Sequence, residues 1–108
     1  MNQDLMKALG QMQKMQEEVA KAQAELADLT ASAESGGGMV KVTANGKQEI
    51  TQIKLEKEVI NPDDAEMLED LIVAAANRAL ANAKQLADEK MQEVASQYMP
   101  NIPGLPQF

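Results

Sequence analysis

Three lysines carry the first chemical signal in this 108-residue chain. Lys7, Lys14 and Lys21 are spaced by seven. On a helix, steps of seven bring side chains back to nearly the same azimuth, so the three form one line, with neighbours about 10.5 Å apart along the axis. A line of cations can follow a phosphate backbone, and each phosphate it neutralises releases counterions. The competing reading is an ordinary solvated face, with Glu17, Glu18 and Glu25 balancing the lysines, and by residue type alone that reading is favoured. Arg78, Lys84 and Lys90 are the other candidate cations. Their spacing of six turns them to three different directions, so they form no stripe of their own.

Other chemistries have little to work with. The chain has no cysteine and no histidine, which removes thiolate chemistry and the commonest general base and metal ligand. No catalytic residue, cofactor or metal site is expected. Asp63, Asp64 and Glu66 lack the glycine and spacing of a calcium loop and are better read as helix-start residues. Gln11, Gln13, Gln16 and Gln23 could bond phosphates or base edges, but they are also simply good helix formers. Aromatic residues are 2% of the chain, so stacking on unpaired bases is not expected. The net charge of −7 rules out a globally basic nucleic-acid binder. It also leaves an acidic surface that suits a protein partner. No apolar run reaches membrane-spanning length and no export signal is recognised, which points to the cytoplasm.

The elements that must position these residues read as α+β, in one domain over residues 1–98. A long N-terminal helix over 4–30 carries Leu5, Met12, Val19 and Leu26 every seven residues, with Ala8, Met15, Ala22 and Leu29 three after each. These are the a and d positions of a narrow coiled-coil-like seam, and the lysine line lies about 130° from its centre. A β-region over 30–57 follows. Thr30–Ser35 is a short first strand, three glycines at 36–38 allow positive φ, and Met39–Ala44 alternates Val40, Val42 and Ala44 against Lys41 and Thr43. Asn45-Gly46 signals a hairpin. Gln48–Leu55 returns with Ile53 and Leu55 in phase and Ile50 out of phase, the mark of a β-bulge. Asn61-Pro62-Asp63-Asp64 caps and opens a long C-terminal helix over 62–98.

A small antiparallel sheet of two or three strands and an alanine-rich core are a poor foundation for two long helices. A homodimer with projecting helical arms is therefore expected, joined through Val40, Val42, Ile53 and Leu55. Residues 99–108, MPNIPGLPQF, hold three prolines and a glycine and are read as a flexible tail. Docking of Ile102, Leu105 and Phe108 on a partner is the less favoured reading.

The order of parts resembles the YbaB/EbfC family of bacterial nucleoid-associated proteins. The resemblance rests on MKALGQMQKMQEEVAKAQAEL, SGGGMVKVTANG and DDAEMLEDLIVAAANRA, and the PGLPQF end also looks like the family's. It implies a tweezer-like dimer whose arms grip duplex DNA in the nucleoid, organising the bacterial chromosome or modulating expression. DNA-binding roles would then fall to Lys7, Lys14 and Lys21, and less to Arg78, Lys84 and Lys90. The rival reading is a prefoldin-like or adaptor module that uses its helical arms to hold other proteins.

Overall fold

The computed structural model describes residues 2–98. The expectation of a flexible tail over 99–108 lies outside them. The order is α1 (Asn2–Glu25), β1 (Thr30–Ser35), β2 (Val40–Asn45), β3 (Ile50–Leu55) and α2 (Ala65–Tyr98), with 3-10 turns at Leu26–Asp28, Lys57–Val59 and Pro62–Asp64. The sheet is antiparallel, in the order β1-β2-β3. Contacts divide the chain into two compact units. One holds residues up to Glu25 and from Asp88 on; the other holds Leu26–Ala87.

Within the second unit, α2 lies on one face of the sheet. Val40, Val42 and Ala44 of β2 and Ala33 of β1 pack with Ala75, Ala79 and Ala83 of α2, and Val59 closes the cluster. Small side chains on the helix let it approach the strands closely, but they bury little area each. Valines are the largest fully buried side chains. Polar contacts tie helix to sheet. Ser35 Oγ donates to the Leu71 carbonyl (2.6 Å) and Gln48 Nε2 to the Leu80 carbonyl (3.0 Å).

Both turns of the sheet depend on special backbone. Gly36, Gly37 and Gly38 all have positive φ, at 62°, 68° and 92°, a region that costs other residues about 1–2 kcal/mol each. The Asn45-Gly46 hairpin is not the two-residue turn its sequence signals. Asn45 N–H donates to the Glu49 carbonyl (2.9 Å) and Gln48 N–H to the Asn45 carbonyl (3.0 Å), and it is Gln48 that takes positive φ, at 63°. The loop is therefore three residues long, with its left-handed residue last. Asn45 Oδ1 accepts from the Lys47 and Glu49 amides (3.0 and 3.2 Å) and holds it.

Gly46 serves close approach rather than turn geometry. Its amide donates to the carbonyls of Leu26 (2.9 Å) and Leu29 (2.8 Å). A Cβ there would stand 2.7 Å from the Leu26 oxygen. The same Leu26 carbonyl accepts from Leu29 N–H (3.2 Å), an i→i+3 bond. These bonds tighten the chain into a 3-10 turn, so α1 stops at Glu25 rather than running to residue 30.

The expected bulge lies in β3. Val42 pairs with Ile53 and Thr43 with Gln52, but Ala44 pairs with Ile50, which leaves Thr51 as the extra residue. Asn61 caps not α2 itself, which starts three residues later than expected, but the 3-10 turn before it: its Oδ1 accepts from the Asp63 amide (3.0 Å). Pro62–Asp64 forms a 3-10 turn, and Asp64 Oδ1 accepts from the Met67 amide (3.3 Å) to cap the α-helix proper.

Candidate nucleic-acid interface

All three lysines of the proposed line fall within the single continuous helix α1, and all are exposed. None forms a salt bridge with another described residue. Glu25, which could have neutralised Lys21, is held instead by Lys90, whose Nζ lies 2.9 Å from Glu25 Oε2. The hydrogen bond from Lys90 lowers the Glu25 pKa below its ordinary 4.5, and Lys21 lowers it further through space. The same bond raises the Lys90 pKa above 10.5. Both groups therefore stay charged throughout the neutral range, and Lys90 is committed to a contact within its own unit.

The other candidate cations are placed differently. Arg78 Nη1 donates to the Glu34 carbonyl (3.0 Å), which ties α2 to β1. Lys84 is exposed on α2 but has partners of its own. Arg78 and Lys84 belong to the Leu26–Ala87 unit, whereas Lys90 shares a unit with the lysine line. The structure thus brings Lys7, Lys14 and Lys21 onto one face and gives Arg78 and Lys90 structural contacts. Nothing in the spacing of Arg78 or Lys90 signals those contacts, because their partners are far away in sequence. Among the described residues, no cluster of three or more acidic side chains could hold a metal.

The residues expected at a dimer interface divide in two. Val40 and Val42 are fully buried in the chain's own core, so they have no surface to offer a partner. Ile53 is 46% exposed and Leu55 is half-buried. Ile50, 44% exposed, lies on the same face, and Ile60 is exposed as well. Ile60 was not foreseen, and the only hint of Ile50 was its broken phase. Val73 is exposed as well, on a flank of α2 about 160° from Leu71. Leu71 is the residue that reaches the glycine turn at Gly36.

A helix–sheet–helix chain whose first helix carries a line of exposed cations, with no ion pair to another described residue, has the makings of a DNA-binding protein. The chain belongs to the YbaB/EbfC DNA-binding family, whose model matches residues 1–99. Similar relatives are nucleoid-associated proteins. That of Thermodesulfovibrio yellowstonii is 52% identical over 96 residues, covering 89% of this chain and 82% of its own. That of Caldanaerobacter subterraneus is 47% identical over 95 residues, covering 88% and 84%. Among solved structures, an uncharacterized protein of Helicobacter pylori shares the fold. Its TM-score is 0.59 at 22% identity, over 72% of this chain and 90% of that one. No described helix is long and apolar enough to cross a membrane.

Proposed function

We propose that the protein acts in the bacterial nucleoid as a homodimer. It grips duplex DNA mainly through the phosphate backbone and so contributes to chromosome organisation and regulation of expression. The observation that carries this reading is the line of Lys7, Lys14 and Lys21, exposed on one face of α1 and free of ion pairs with described residues. Two copies supply two such lines related by a two-fold axis. Contacts of this kind position a protein on DNA without reading sequence.

The dimer reading is supported by β3. Strand β3 is one edge of the sheet, and every residue of it but Leu55 is exposed. Ile50, Ile53 and Leu55 pair with Ala44, Val42 and Val40, so they lie on the face that α2 covers farther along the sheet. Their apolar ledge is the surface on which the second copy packs. Val40 and Val42 lie beside it on the same face, under α2.

Titration of fluorescent duplex DNA at several salt concentrations tests the DNA reading. With six lysines per dimer, log K should fall against log salt with a slope no steeper than about −5. Lys14→Glu or Lys21→Glu should weaken binding several-fold and flatten that slope, with the dimer mass unchanged. Full affinity in both variants would sink the proposal. A helical-arm module that meets another protein through the acidic surface would then be the better reading.

A further inference from the structure

Asn45 is the one buried polar side chain among the described residues, and the glycine that follows it is buried too. Asn45-Gly46 is also the only Asn-Gly pair in the chain. Such a pair can react with itself. Once the Gly46 amide gives up its proton, its nitrogen can attack the carbonyl carbon of the Asn45 side chain. A C–N bond forms there, and the Nδ2 group leaves with a proton as ammonia. Water then opens the cyclic imide at either carbonyl, leaving aspartate or its β-linked isomer. Glycine favours ring closure because it brings no Cβ to crowd the attacking nitrogen.

The fold demands each member of the pair for a separate reason. Gly46 is needed because a Cβ would stand 2.7 Å from the Leu26 oxygen. Asn45 is needed because its Oδ1 accepts from two amides of the loop that follows. Packing therefore sets a labile pair at the joint between the β2–β3 hairpin and the 3-10 turn after α1.

The same bonds hold the reaction back. Attack needs the Gly46 proton removed, and that hydrogen is held by the carbonyls of Leu26 (2.9 Å) and Leu29 (2.8 Å). Attack also needs the Asn45 side chain to swing onto the Gly46 nitrogen. Its Oδ1 is held by the Lys47 and Glu49 amides (3.0 and 3.2 Å), and its Nδ2 donates to Glu49 Oε1 (3.1 Å). Asn45 is only 5% exposed, so solvent base has little access. Reaction in the folded chain therefore waits for local opening of the hairpin.

We propose that Asn45-Gly46 is a spontaneous deamidation site gated by opening of the β2–β3 hairpin, and that its products unfasten the hairpin from the turn after α1. Aspartate at this position replaces the Nδ2 donor with an oxygen. A hydrogen bond to Glu49 thus becomes a contact between two carboxylates, which repel. The β-linked isomer routes the backbone through the former side chain and adds a methylene to it. That shift moves the Gly46 amide off the Leu26 and Leu29 carbonyls. Either product opens more easily than the original pair, and the change runs one way. No residue of the lysine line takes part, so the inference does not depend on the DNA reading.

Full-length protein held in mildly alkaline buffer, with and without denaturing guanidinium chloride, tests the gate. Trypsin releases residues 42–47, VTANGK, whose mass records conversion of the amide to the acid. The unfolded chain should convert steadily, and the folded chain at least about tenfold more slowly. Equal rates would overturn the proposal, as would an unfolded chain that did not convert. The consequence is tested separately. Asn45→Asp should lower the urea midpoint, and Glu49→Gln added to it should restore part of the loss, because a side-chain amide can again donate across the turn. An unchanged midpoint in Asn45→Asp, or no recovery in the pair, would remove the link to the hairpin joint. If Asn45→Asp does not fold, wild-type chain converted while unfolded and then returned to buffer serves instead. It should melt at lower urea than unconverted chain treated alike, and equal midpoints would again overturn the link.

Discussion

Strands β2 and β3 are neighbours of equal length with opposite surroundings. β2, VKVTAN, buries Val40, Val42, Ala44 and Asn45, whereas β3, ITQIKL, exposes every residue but Leu55. Their cross-strand partners share a face, Val42 with Ile53 and Ala44 with Ile50. Hydrophobicity therefore does not separate them. Position does, since α2 lies over β2 and leaves most of β3 uncovered. An apolar side chain under the helix holds this chain together, while an equally apolar one beyond it is available to another chain.

The sharpest way to break the comparison is to place a charge at each member of one pair. Val42→Asp buries a carboxylate with no partner and should abolish folding, a loss of more than about 4 kcal/mol, seen as missing cooperative unfolding by circular dichroism. Ile53→Asp puts the same charge on the ledge. It should keep the secondary structure and shift sedimentation from dimer toward monomer. If both variants unfold, or if Ile53→Asp remains a full dimer, the two strands do not divide the work in this way.

Smaller effects test the turns that join the strands. Gly46→Ala closes the hairpin between β2 and β3 against the Leu26 carbonyl and should lower stability by about 1–3 kcal/mol in urea unfolding. Gly37, between β1 and β2, has open space where a Cβ would go, so only its backbone conformation is at issue. Gly37→Ala should cost about 1–2 kcal/mol. An equal or larger loss there than at Gly46 would mean that the close approach of Gly46 matters little.

The smallest effect comes from a contact in neither strand. Glu25 has a lowered pKa, so its ion pair stabilises the fold above the ordinary 4.5 and loses that contribution as pH falls through the folded value. Lys90 has a raised pKa, so its share is present below 10.5 and is lost as pH rises beyond the folded value. Glu25→Gln should therefore lower the urea midpoint slightly at pH 7 and leave it unchanged at pH 3. A difference that persisted at pH 3 would assign the effect to packing.

Much of this comparison was legible in the sequence wherever it depended on local period. The alternation of Val40 and Val42 placed β2, the broken phase of Ile50 placed the bulge, and Asn61-Pro62 placed the 3-10 turn that leads into α2. The lysine line was legible for the same reason, since a spacing of seven on one helix fixes a face. What depended on distant partners was not legible. α1 ends at Glu25 because Gly46 reaches back to Leu26, and no residue near position 25 announces that. Arg78 looked like a candidate for phosphate and bonds the Glu34 carbonyl instead. Val40 and Val42 looked like interface residues because the sequence shows which side chains are apolar, not which of them the chain's own helix will cover.

The extra residue in β3 has a consequence for how the ledge is encoded. Ile50 and Ile53 are three apart, an odd interval that on a regular strand would send them to opposite faces. They share one because Thr51 is left out of the pairing. Removing Thr51 would bring the two isoleucines to an even interval and leave them on one face of a regular strand. Drawing Thr51 into the pairing at constant length would instead turn one of them to the far side and split the ledge. The surface is stored as a phase along the strand, so closing the bulge would erase it while every apolar residue stayed in the chain.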